Sequence, residues 1–131
     1  METGFEGIGV IYADTDFFLA LLKPSNWLKR NAEKILNRYR GQITTSEATF
    51  IELMLLSKRY NLDPIRIATA VMAICGIEDP VILKAAIYIK EYGLRVFDAF
   101  HAAHCSGKII SSDKIYDRLG IERIKLEEET N

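Results

Sequence analysis

The chain has 131 residues, with 17 Lys+Arg against 18 Asp+Glu and a net charge of −1; one domain is the default at this length, and it buries roughly two-thirds of its unfolded surface. A composition of 49% hydrophobic and 27% charged residues excludes a disordered chain, and near-neutrality argues against a stand-alone non-specific nucleic-acid binder, which is basic overall. No apolar run nears the roughly 18 residues of a membrane span, the start Met1-Glu2-Thr3-Gly4-Phe5-Glu6 lacks the basic segment of a secretory signal, and Cys75 and Cys105 form no CxxC. The expectation is a cytoplasmic protein in a reducing compartment, with no membrane partner.

In chain order, Ile8–Ala13 is a short apolar run of the kind a buried parallel strand shows. It stops at Asp14-Thr15-Asp16, and an apolar helical segment runs on to Lys23-Pro24. Ser25 is placed to cap a second helix reaching Arg40-Gly41. Leu28, Ala32, Ile35, Leu36 and Tyr39 share one face of it, and Arg30, Lys34 and Arg38 lie on the other. Between Lys23 and Arg40 there are six basic residues and one acid, Glu33. That stripe suits RNA phosphates, although a solvated helix face is the commoner meaning of such a stripe. Gln42–Thr44 reads as a strand and Thr45 to Tyr60 as a third helix, whose Thr44-Thr45-Ser46-Glu47 fits a capping box with Thr44 as cap and Glu47 reaching back.

Asn61-Leu62-Asp63-Pro64 reads as a break, then an Asp cap with Pro at the first helical position. The following helix, Ile65–Cys75, is apolar on nearly every side, which suits either a buried central helix or one that meets a partner. A helix over Val81–Tyr92 ends at Gly93, and another follows Asp98 after the extended piece Leu94–Phe97. A strand over Lys108–Ser111, a short helix after Asp113, a strand over Glu122–Leu126 and an acidic tail over 127–131 complete the chain. Strands alternating with helices predict a single α/β domain, with its core over about 8–126 and a mostly parallel sheet.

In open parallel sheets, sites form at the C-terminal ends of strands. Asp14 and Asp113 follow predicted strands and Asp98 opens a helix. Each can be an N-cap, but capping does not require the three to gather at one edge. Glu52 lies in the apolar stretch Phe50-Ile51-Glu52-Leu53-Met54, where a charge is costly unless it is paired or reaches the surface. Two unit charges about 4 Å apart repel by about 4 kcal/mol at an effective dielectric of 20. Four converging acids therefore take up protons or bind a cation, and an all-oxygen set suits Mg2+ or Mn2+. Such a centre supports phosphoryl transfer with a metal-activated water.

Val10-Ile11-Tyr12-Ala13-Asp14-Thr15-Asp16, Glu52-Leu53, Val96-Phe97-Asp98-Ala99-Phe100-His101 and Ile109-Ile110-Ser111-Ser112-Asp113 resemble, in order and spacing, the PIN-domain nucleases. The likeness is nearest to the VapC toxins of type II toxin–antitoxin pairs and covers about Ile8 to Leu126. It implies a three-layer fold with a central sheet of four to five strands flanked by helices. It also implies an Mg2+- or Mn2+-dependent endoribonuclease with Asp14, Glu52, Asp98 and Asp113 as catalytic acids, of which Asp14, Asp98 and Asp113 hold the metal. Thr15, Asp16 and Ser111 would support the site, with Asp16 standing where the family often has Asn or Ser; Asp117, one helical turn after Asp113, either assists or is a plain solvent-facing acid, the latter being the favoured reading. A homodimer and an inhibitory antitoxin belong to the same implication.

Two other readings compete. A haloacid-dehalogenase-like phosphatase would use Asp14-Thr15-Asp16 as its DxD and Asp113 with Asp117 as late metal acids, although it expects Thr or Val where Phe18 stands. A PIN-fold module could also bind RNA or a partner without cutting. His101, His104 and Cys105 match no zinc module, and Gly4-x-x-Gly7-x-Gly9 precedes its strand rather than following it.

Overall fold

The computed structural model describes residues 10–128, so residues 8 and 9 of the first predicted strand and 129–131 of the acidic tail lie outside it. The described chain runs β1 (Ile11–Tyr12), α1 (Thr15–Leu22), α2 (Lys29–Arg38), β2 (Ile43–Thr44), α3 (Glu47–Ser57), α4 (Pro64–Cys75), α5 (Pro80–Tyr92), α6 (Val96–His104), β3 (Lys108–Ser111), a 3₁₀ turn (Lys114–Leu119) and β4 (Glu122–Lys125). It is an α/β fold with parallel strand pairing. Among the described residues no helix is long and apolar enough to cross a membrane.

One difference from the expected architecture concerns the sheet. The four strands form two parallel pairs, β1–β2 and β3–β4, with no ladder joining them among the described residues. The lengths have local causes. β2 is confined between Gly41, at φ 84°, and Ser46, the cap of α3. That leaves room for the pairs Ile11–Ile43 and Tyr12–Thr44, flanked by Ile11 N–H to the Gln42 carbonyl at 2.7 Å and Ala13 N–H to the Thr44 carbonyl at 2.9 Å. β3–β4 is held in register from Lys108–Glu122 to Ser111–Lys125.

Helix starts explain most of the other departures. Asp63 and Asp79 cap α4 and α5, each accepting the N–H two residues on at 2.9 Å, with Pro next in line, as the Asp-Pro pattern predicts. Gly93 ends α5 in the left-handed region at φ 68°. Ser25 caps nothing: Asn26 Oδ1 instead takes the Leu28 N–H at 2.9 Å, a local turn that delays α2 until Lys29. Thr44 is not a cap either, because it is committed to the ladder with Tyr12. α3 starts after Ser46, and Glu47 pairs with His104 on α6 at 2.9 Å. α6 begins at Val96, so Asp98 sits inside its first turn rather than ahead of it.

One hydrophobic cluster joins the elements, with Phe18 of α1, Phe50 and Leu53 of α3, Val71 of α4, Ala85 of α5 and Phe100 of α6 all at its centre. α4 buries Ile67, Ala68 and Val71 and leaves Arg66, Thr69 and Ala73 exposed. It is thus a one-sided helix rather than a wholly buried one.

Candidate functional site

β1 and α1 together place Asp14. The buried Thr45 hydroxyl donates to the Ala13 carbonyl at 2.9 Å and lies 2.8 Å from the Thr49 hydroxyl, which anchors the C-terminal end of β1 to the start of α3. Asp14 then adopts an extended conformation and caps α1, its Oδ1 accepting the Thr15 N–H at 2.6 Å. The cap is real, and it also sets the carboxylate against the positive end of a helix dipole. Thr15 is 6% exposed, and its hydroxyl donates to Glu52 Oε1 across from α3. Thr15 thereby links two acids, one through its amide and one through its hydroxyl. Glu52 is exposed to solvent even though Leu53 and Met54 beside it are in the core.

Asp98 and Asp113 form a second neighbourhood. Asp98 is half-buried and meets Arg95 Nε at 3.4 Å. Asp113 follows β3; its N–H donates to Ser111 Oγ at 2.9 Å and its Oδ1 accepts the Ile115 N–H at 3.0 Å. Both acids act on Tyr116, a buried side chain. Burial pushes its phenol above the usual range, and the negative charges of Asp98 and Asp113, with a smaller contribution from Cys105, push it further. One phenol thus senses an acid from α6 and an acid from the end of β3.

Among the described residues no group of three or more His, Cys, Asp or Glu side chains closes around a point that could hold a metal ion. The donors are nonetheless all carboxylates, Asp14 and Asp113 just after strands, Asp98 in the first turn of α6 and Glu52 within α3, and Mg2+ needs only one or two carboxylates because it keeps several waters. The donor chemistry therefore fits a hard divalent cation held by one or two carboxylates and waters, rather than by a closed protein cage.

The remaining predicted residues divide. Asp16 is exposed in the first turn of α1, on a shallow depression between α1 and α2. Asp117 is gripped by Arg123, at 3.1 Å from Nε and 3.3 Å from Nη2. Arg30, Lys34 and Arg38 are all exposed. Lys34 and Arg38 wall an open cleft of about 610 Å³ that begins at Asp14 and includes Tyr12, Phe17 and Tyr39; Arg30 does not line it.

Sequence reasoning missed Thr45, Tyr116 and Arg123. For Arg123 a signal existed: in Ile121-Glu122-Arg123-Ile124-Lys125 it shares the strand face of Ile121 by the two-residue period, and Ile121 is buried. For Thr45 and Tyr116 no local pattern points to the contact.

Compared with known proteins, the chain matches the family model described as PIN domain over residues 11–122. Neither the curated proteins nor the solved structures give a match.

Proposed function

The chain belongs to the PIN domain family, whose members are generally nucleases, and on that premise we propose that it is a metal-dependent endoribonuclease that hydrolyses RNA phosphodiesters. The observation that carries the reading is the contact from the buried Thr15 hydroxyl to Glu52 beside the helix-capping Asp14. It gathers two of the four acids where β1 ends, the place where open parallel sheets build their sites. The shared influence of Asp98 and Asp113 on Tyr116 gives the other two a common neighbourhood.

In this proposal Asp14, Asp98 and Asp113 would hold Mg2+ or Mn2+. A bound ion would supply charge neutralisation at the phosphate and lower the pKa of a water, so that it is more readily deprotonated for attack on phosphorus. Glu52, held by Thr15, would orient an attacking water and accept its proton, while Ser111 steadies Asp113 by accepting its backbone N–H. Lys34 and Arg38 on the cleft wall take substrate phosphates, and Tyr12 and Tyr39 offer faces for bases. The finer identity we propose is that of a cytoplasmic, VapC-like toxin of a toxin–antitoxin pair, acting as a homodimer and inhibited by a cognate antitoxin.

A second reading, a PIN module that binds RNA without cutting it, is favoured by the lack of a closed three-acid cluster among the described residues. One experiment separates the two: a labelled structured RNA is incubated with Mg2+ or Mn2+, with EDTA, and with Asp98→Asn or Glu52→Gln protein. Metal-dependent cutting that EDTA and both variants abolish is the expected result. A folded protein that binds the RNA and leaves it whole under either metal supports the silent module instead.

A further inference from the structure

Arg123 has a side chain only 2% exposed, although arginine is almost never buried without partners. Its Nη1 donates to the Ser111 carbonyl at 2.9 Å and to both carboxylate oxygens of Glu127 at 3.0 Å. On its other side it grips Asp117 through Nε and Nη2. Ser111 lies two residues before Asp113, and Asp117 four residues after it. One guanidinium therefore ties down both ends of the loop that carries Asp113, while Glu127, beyond β4, backs it from the third side. Within the loop, Ser111 Oγ accepts the Asp113 N–H and Asp113 caps the 3₁₀ turn. The chain from guanidinium to carboxylate is thus continuous.

We propose that Arg123 is a positioning residue: it fixes the Ser111–Asp117 loop so that the Asp113 carboxylate is preset to receive the divalent cation. This rests on the metal-dependent reading above. It also gives Asp117 a different task from metal binding, since its oxygens hold the guanidinium. Only a planar fork of donors can serve three acceptors in three directions; a lysine ammonium is a single point on a flexible stem. Outer groups of this kind act on a metal by orienting its ligands, and their loss weakens binding by about 10–100-fold.

The test compares Arg123→Lys, Arg123→Met and Asp117→Asn with Arg118→Gln, which removes a neighbouring positive charge outside the network. Mn2+ binding is measured by calorimetry without RNA, alongside the thermal midpoint and kcat and KM for RNA cleavage. Both Arg123 variants should bind Mn2+ about tenfold more weakly or worse and lose kcat with KM held. Asp117→Asn should show the same change in smaller measure, and Arg118→Gln no change. Variants that melt earlier yet bind Mn2+ within about twofold of the parent and keep its kcat overturn the proposal, because a purely structural role moves only the melting point. Should neither Arg123 variant fold, Asp117→Asn decides by the same criterion, its carboxylate being half exposed. A parent protein that binds no Mn2+ removes the metal-dependent reading first, and this one with it.

Discussion

Tyr116 is a built-in reporter of the acids beside it. Its phenol is held above the ordinary value of 10.0 by burial first, and then by Asp98 and Asp113. As pH rises, the unfolded chain gives up this proton before the folded one does. The stability that Tyr116 contributes is therefore complete below about pH 10 and is lost as pH climbs through the higher folded value. Tyr116→Phe should flatten that alkaline loss in thermal melts. Asp98→Asn or Asp113→Asn should each lower the Tyr116 pKa in a phenolate absorbance titration, with Tyr116→Phe identifying its share of the signal. Asn is as good a cap as Asp, so Asp113→Asn keeps the 3₁₀ turn. A Tyr116 titration unmoved by both variants would separate Asp98 and Asp113 electrostatically and dismantle half of the candidate site. Asp113 is local to Tyr116, at the start of the same 3₁₀ turn, but nothing in the sequence around Tyr116 announces the influence of Asp98, which comes from α6.

At the scale of elements, α2 and α3 do the placing. The basic stripe on α2 was legible from helical spacing, but its split was not: Lys34 and Arg38 line the cleft at Asp14 and Arg30 does not. Binding of single-stranded RNA in EDTA should weaken with salt by a slope that falls by about 0.7 for each phosphate-contacting cation removed. Lys34→Gln and Arg38→Gln should each reduce the slope in that way, and Arg30→Gln should leave it unchanged. Equal effects from all three would mean a diffuse basic face with no defined path. α3 shows how tertiary demands override a local motif. Thr44-x-x-Glu47 has the form of a capping box, yet Thr44 pairs in β2 and Glu47 reaches His104 on α6. The same helix carries Glu52 toward Thr15 while Leu53 fills the core.

For the whole molecule, the site depends on a single core that reaches every helix except α2 with fully buried side chains and brings α2 in through Leu36. Leu53 is 0% exposed and adjoins Glu52. Leu53→Ala should cost about 2–5 kcal/mol through lost burial and the cavity left behind, measured as an earlier but still single cooperative transition in denaturant. Glu52→Gln, on the solvent side, should leave the transition nearly in place. A biphasic melt in Leu53→Ala would show that the elements around Asp14 and those around Asp113 unfold separately, against the continuous core seen here. Both strand pairs are short, so core packing rather than ladder hydrogen bonds holds them in the fold.

The sequence by itself determined the α/β class and most helix positions, and it nominated the four acids. Those follow from short-range physics: hydrophobic period, Asp-Pro starts, Gly stops and charges stranded among apolar neighbours. The tertiary structure alone decided which partners those acids have. It set Glu52 against Thr15, put Tyr116 under the influence of two acids, diverted Glu47 to His104 and gave Asp117 to Arg123. It also divided the strands into two pairs. Glu52 with Thr15, Glu47 with His104 and Asp98 with Tyr116 join segments far apart in the chain, and periodicity assigns a side chain to a face without saying what that face will meet.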